Sequence, residues 1–284
     1  MRLRWPKDVF IVLYTFSVEN NIVSCYNIIR AGHRRVPTKA GGCHMKIIGN
    51  AGAFFYLART IASLGDYKKR IDSLKARGES EEERQVISEV CRYWSDKVVK
   101  YLDLTIDIKN PQYLPQNGPV VYVANHQSYA DILVFLNITK HQIGFIAKEE
   151  LTKIPMFSSW TARIESLFIK RGDARASLMT INEGADMLRN GYSLVIFPEG
   201  TRSRSGRMGE FKQGSLKLAT RAKAVVVPVT LNGTYKVFEE TGKISKGQRV
   251  EAVIHEPIDT SKLDRKEQSE LSSRLEEIVR SGLV

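Results

Sequence analysis

The chain has 284 residues, 43% of them hydrophobic, enough for one large domain or a domain with an appendage. It carries 43 basic against 31 acidic residues, and a formal net charge of +12 points to an anionic partner: nucleic acid, an acidic membrane surface or a phosphorylated substrate. Cys25, Cys43 and Cys91 have neither disulfide-framework nor metal-site spacing, which suits a reducing compartment, and none of the five histidines forms a close pair, so no zinc motif is visible.

Residues 1–44 open basic, run apolar and turn basic again. A helix over 9–29 would measure roughly 31 Å, about one bilayer core. Glu19, Asn20 and Asn21 sit at its middle, however, where a charge costs on the order of 3 kcal/mol. No small-residue cleavage site follows the apolar stretch, so a signal peptide fits poorly. In another reading, GGCHM back-translates to a ribosome-binding-site-like stretch ahead of a start at Met45. Residues 1–44 are then an extension of doubtful status. Seven basic and two acidic residues lie there, and without them the net charge falls by five to +7.

Residues 45–115 read as a two-helix region. In the first helix Tyr56, Arg59, Thr60, Ser63 and Tyr67 share one face, and Phe54, Leu57, Ala58, Ile61 and Leu64 share the other. The basic run Lys68-Lys69-Arg70 follows. This pattern suits a helix lying in a membrane interface, although core packing gives the same periodicity more often. After Gly78 an acidic start leads into Val86, Val90, Trp94, Val98 and Leu102, a second helix that completes a hairpin. The stretch LTIDIKN alternates like a strand, and Pro111, Pro115 and Pro119 mark a connection.

Residues 116–284 alternate in type. Strands are expected at 119–124, 143–147, 167–170, 193–197, 224–231 and 249–255. Helices are expected at 129–138, 154–163, 173–189, 213–221 and 264–281. The fold class is therefore α/β, a mostly parallel sheet flanked by helices and preceded by the N-terminal helical hairpin.

Two strand ends carry chemistry. VVYVANHQSYAD places His126 and Asp131 five residues apart where a buried strand gives way to a helix. On one helix the two would lie roughly 140° apart and could not meet. With His126 in the turn, it can fold back on Asp131, which fixes its tautomer and leaves the other nitrogen for general-base work at the C-terminal edge of the sheet. A lone H-x-x-x-x-D is more often a satisfied structural histidine. Ser128 is as able to cap the helix as to attack anything. The second strand end is FPEGTRSRSGRMGEFKQGS: Gly200 permits close backbone approach, Thr201 offers a hydroxyl and Arg202 a planar fork for phosphate, with Arg204, Arg207 and Lys212 adding positive field. Lys148 and Lys170-Arg171 also follow strands, so four strand ends deliver a base beside an anion pocket.

NHQSYAD and FPEGTRS resemble the first and third signature blocks of the glycerolipid acyltransferases, and FIAKEELTKIPMFSSW through LFIKRGD and VVVPV resemble the second and fourth, in order across roughly 120–230. The N-terminal helix pair is similar to the membrane-docking hairpin of bacterial members. The resemblance implies acyl transfer from a thioester, on coenzyme A or acyl carrier protein, to a lysophosphatidic acid hydroxyl, giving phosphatidic acid. It implies that His126 takes the hydroxyl proton and Asp131 orients it. Arg202 with the Gly200 and Thr201 backbone would bind the glycerol phosphate, and Lys148 and Arg171 would line the same site. Glu199 would contact the glycerol or hold the loop. No metal or redox cofactor is implied, and the enzyme would sit as a peripheral, monotopic protein on the cytoplasmic face of the cell membrane bilayer. Acceptors such as glycerol-3-phosphate or another lysophospholipid are the nearest alternative. A nucleic-acid-binding protein fits less well, because the basic residues sit at strand ends and not in a stripe interleaved with aromatics.

Overall fold

The structure, a computed structural model, describes residues 41–149, 155–169 and 173–284. The apolar segment 9–29 and Arg171 lie outside the described residues, and Lys148 is described only as the last residue of a strand.

Three helices come first: α1 (Gly41–Ala62), α2 (Gly65–Arg77) and α3 (Ser80–Leu102). The expected hairpin is present, with its first arm broken into two helices near Ser63 and Leu64. Gly78 ends α2 in a left-handed conformation, and Glu81, Glu82 and Glu83 open α3 where the helix dipole favours negative charge. Leu64, Ile71, Leu74, Val86, Ile87 and Val90 form a small core between these helices.

The faces of α1 differ from the expected division. Phe54, Ala58 and Leu64 are buried as the apolar face requires, but Thr60 of the polar face is buried too. Thr60 Oγ1 accepts from Trp94 Nε1 at 3.1 Å, Tyr56 donates to the Lys97 carbonyl at 3.2 Å, and Tyr56 stacks on Tyr101 with centroids 3.9 Å apart. Hydroxyl-bearing side chains can pack inward when α3 supplies their partners, so polarity alone misassigns this face. The outward face consists of Ala51, Phe55, Arg59 and Ala62, with Phe55 46% exposed. No helix among the described residues is long and apolar enough to cross a membrane.

The remaining elements are β1 (Thr105–Lys109), β2 (Val120–Ala124), α4 (Ala130–Ile138), β3 (Ile143–Lys148), α5 (Pro155–Arg163), β4 (Leu167–Ile169), α6 (Ala174–Arg189), β5 (Ser193–Ile196), α7 (Lys217–Ala222), β6 (Val225–Asn232), β7 (Arg249–Ile254), β8 (Ile258–Asp259) and α8 (Arg265–Ser281). All six strands and five helices expected for this block are present within a few residues. The largest shift is α7, which starts at Lys217 because left-handed Gly214 (φ 86°) still belongs to the preceding turns. The two-residue β8 is too short to leave a periodic signal.

One eight-stranded sheet runs β1-β7-β6-β2-β5-β3-β4, with β8 also on β6. Strands β6, β2, β5, β3 and β4 are mutually parallel, whereas β7 and β8 run antiparallel to β6 and β1 runs parallel to β7. All five residues of β2 are buried, as expected of a central parallel strand covered on both faces. Val120, Tyr122 and Ala124 face a core shared with α3 and α4, where Val98, Leu133 and Phe135 pack. Val121 and Val123 face the opposite core with Leu188, Leu218, Leu271 and Leu275 of α6, α7 and α8. The last helix is thus a packing element, as its apolar stripe suggested.

The register positions the site. Val123 pairs with Ile196 of β5, and Ala124 pairs with Val229 of β6. The chain leaves β2 and β5 at the same edge, in adjacent strands, at the C-terminal end where open α/β sheets place ligands.

Candidate active site

The turn after β2 is built around Asp131. This carboxylate, fully buried in the first turn of α4, accepts from the backbone N–H groups of Gln127 at 2.8 Å and Ser128 at 2.9 Å through Oδ2. The same oxygen lies 2.7 Å from His126 Nδ1. Its other oxygen, Oδ1, accepts the hydroxyl of Thr234. Two amides, a ring nitrogen and a hydroxyl therefore satisfy a buried charge that would otherwise be costly. Because His126 lies in the turn and not on the helix, it folds back on Asp131.

The imidazole is held on its other sides as well. It stacks on Phe197, centroids 4.1 Å apart and planes 16° apart, and Phe197 in turn packs edge-on against Phe135. The His126 side chain retains 18% exposure while Asp131 has none. With a proton on Nδ1 donated to Asp131, Nε2 is left as an acceptor. Ser128 is fully buried and its Oγ accepts the Ala130 N–H at 2.9 Å, which ties it into the turn that leads into α4. Asn125 ties the turn to β6, donating to the Leu231 carbonyl at 2.9 Å and accepting the Leu231 N–H at 2.7 Å, a side-chain continuation of the sheet ladder.

The turn after β5 is bound to the His126 turn by two cross-links. Glu199 Oε1 accepts the His126 N–H at 2.6 Å, and the Ser203 N–H donates to the His126 carbonyl at 2.8 Å. The other Glu199 oxygen accepts the Gly209 N–H at 2.8 Å. Of the two roles open for Glu199, the structure supports holding the loop: both its oxygens receive backbone N–H groups and the residue is buried. Burial pushes the Glu199 carboxyl above its ordinary value, and the N–H groups of His126 and Gly209 oppose that rise.

The Gly200 N–H closes a tight turn onto the Phe197 carbonyl at 2.9 Å. Gly200 has φ 66°, and a Cβ there would lie 2.8 Å from Lys212 Nζ. The left-handed backbone favours glycine here, whereas the lysine amine, at the end of a flexible chain, can move aside. Thr201 is exposed beside it, and Arg204, Arg207 and Lys212 are exposed around the rim. Arg202 is placed differently from a free phosphate fork: its Nη1 donates to Glu239 Oε1 at 2.9 Å, and its guanidinium lies 3.5 Å from the Tyr129 ring centroid.

The structure thus brings His126, Asp131, Glu199, Gly200, Thr201 and Arg202 together. The Lys148 side chain and Arg171 lie outside the described residues. Thr234, Asn125, Tyr129 and Glu239 complete the arrangement and were not picked out from the sequence. The Asn232-Gly233 pair ending β6, with Gly233 at φ 84°, is the one local signal that a sharp turn delivers Thr234 to this edge.

Known proteins match this fold and this stretch of sequence. The acyltransferase family model matches residues 105–232. A chloroplastic 1-acyl-sn-glycerol-3-phosphate acyltransferase of Arabidopsis thaliana is 35% identical over 178 residues, 62% of this chain and 49% of that protein. A probable 1-acyl-sn-glycerol-3-phosphate acyltransferase of Mycoplasma pneumoniae is 30% identical over 180 residues, 57% of this chain and 67% of that protein. The chain spans about half the length of the plant relatives it matches. The crystal structure of the 1-acyl-sn-glycerophosphate (LPA) acyltransferase PlsC from Thermotoga maritima superposes with a TM-score of 0.66 at 26% identity, over 81% of this chain and 94% of that one. The four ordered motifs, the shared fold and these matches together place the chain in the glycerolipid acyltransferase family.

Proposed function

We propose that this protein transfers a fatty acyl group from an acyl thioester, acyl-coenzyme A or acyl-acyl carrier protein, to the sn-2 hydroxyl of 1-acyl-glycerol-3-phosphate, giving phosphatidic acid for phospholipid synthesis. The observation that carries this reading is His126, pinned through Nδ1 by a buried Asp131 and itself partly exposed. In this reading Nε2 removes the proton from the acceptor hydroxyl as its oxygen attacks the thioester carbonyl carbon. The tetrahedral intermediate collapses by breaking the carbon–sulfur bond, and the departing thiolate takes the proton back from Nε2. The base is restored without an acyl-enzyme, in keeping with the full burial of Ser128.

Arg202, with the Gly200 and Thr201 backbone, binds the acceptor phosphate in this account. Lys148 and Arg171 line the same site, and the exposed Arg204, Arg207 and Lys212 supply long-range attraction. A guanidinium has five N–H donors, so pairing with Glu239 does not exhaust its capacity. The outward face of α1 with Phe55 and Arg59, continued by exposed Lys68, Lys69 and Arg70, rests on the cytoplasmic membrane surface where both acceptor and product reside. The test is thioester-dependent acylation in detergent micelles with lysophosphatidic acid and glycerol-3-phosphate as parallel acceptors. Phosphatidic acid formed from the first supports the reading, and product from the second alone overturns its acceptor.

A further inference from the structure

Arg202 is held by side chains from two other segments, Glu239 and Tyr129. Its side chain is 11% exposed and that of its partner Glu239 is 2% exposed. Glu239 Oε1 accepts from Arg202 Nη1 at 2.9 Å and from the Tyr129 N–H at 3.1 Å, and the guanidinium lies over the Tyr129 ring. The residue before α4, the turn after β5 and the segment following β6 meet on this one carboxylate. Its second oxygen, Oε2, is buried with no hydrogen-bond partner among the described residues. A buried carboxylate left half satisfied is a poor choice for packing, since an apolar side chain of similar size would avoid the desolvation. Its geometry suits another task. It sets the orientation of a guanidinium whose planar fork must be placed before it can recognise a phosphate.

We infer that Glu239 is a positioning residue for the acceptor: it holds Arg202 over the Tyr129 ring in the orientation that binds the acceptor's phosphate. The inference rests on the reading of Arg202 as the phosphate ligand. Without the clamp, a long flexible side chain must be ordered when the acceptor binds, and that ordering weakens binding without touching the chemical step. The Tyr129 N–H also lies two residues before Asp131, so the clamp fixes the phosphate site relative to the catalytic pair.

The experiment compares steady-state kinetics and melting temperatures of the full chain with Glu239→Ala, Glu239→Gln and Arg202→Ala, using lysophosphatidic acid and an acyl thioester in micelles. Glu239→Ala should raise the acceptor KM about tenfold, the size expected for ordering one long side chain, with kcat and the donor KM within about twofold of wild type. Glu239→Gln keeps an oxygen at Oε1 and should restore most of the acceptor KM. An unchanged or lowered acceptor KM in Glu239→Ala, while Arg202→Ala raises it, overturns the positioning role alone. So does a Glu239→Gln no better than alanine, or a loss shared equally by kcat and both KM values. An Arg202→Ala variant with unchanged acceptor KM overturns the phosphate reading itself. Should Glu239→Ala fail to fold, Tyr129→Leu removes the ring beneath the guanidinium and must raise the acceptor KM in the same way; no rise overturns the inference.

Discussion

Asp131 Oδ2 lies 2.7 Å from His126 Nδ1 and accepts the N–H groups of Gln127 and Ser128 as well, so one oxygen shapes the turn and orients the imidazole. Asp131→Asn would present an amide where three groups donate. The expected result is a loss of kcat on the order of 10³–10⁴-fold, as for other histidine bases that lose their carboxylate. It should come with a destabilisation of about 1–3 kcal/mol for each N–H left without an acceptor. Thermal unfolding beside single-turnover rates separates the two effects.

Thr234 contributes through Asp131. Its hydroxyl donates to Oδ1, and a hydrogen bond to a charged group contributes about 1.5–3 kcal/mol. Thr234→Val keeps the shape and removes the donor. Its kcat should fall by about 10- to 100-fold if that bond supports the charge on the pair during transfer, with both KM values near wild type. A Thr234→Ser variant should recover most of the loss.

His141, at the opposite end of the sheet from His126, should leave a signature in stability. Burial pushes its pKa down from 6.5 to about 4. Between those values the unfolded chain binds a proton that the folded chain refuses, so stability is present above pH 6.5 and falls as pH drops towards about 4, by at most on the order of 3 kcal/mol. Denaturant melts at a series of pH values should show this slope, and His141→Phe, which keeps a ring against Tyr122, should flatten it.

The membrane-facing assignment of α1 is tested at Phe55 and Arg59. Replacing them together by Asp and Glu puts acidic groups on the outward face of α1. Sedimentation with anionic vesicles should fall severalfold, while acylation of dispersed acceptor in micelles stays close to wild type. Unchanged vesicle binding would move the docking surface elsewhere.

Much of the site could be read from local sequence because its chemistry sits where elements change type. A wholly apolar β2 followed by Asn125-His126 and then Asp131 can bring the two side chains together only through a turn, and the Phe-Pro-Glu-Gly stretch after β5 reads as a second turn at the same sheet edge. What escaped was non-local. Thr234 lies 103 positions from Asp131, and Glu239 lies 37 from Arg202, so only the parallel register of β2 with β5 and β6 makes them neighbours. The inner face of α1 escaped for a different reason. Tyr56 and Thr60 look polar by residue type, yet α3 offers the Lys97 carbonyl and the Trp94 indole to their hydroxyls.

The most direct test of the account is acyl transfer from palmitoyl-coenzyme A to lysophosphatidic acid, measured for wild type and His126→Ala side by side with matched melting temperatures. The account predicts phosphatidic acid from wild type and a loss of at least about 10³-fold in the variant. Equal product from both would remove His126 as the base and contradict the mechanism.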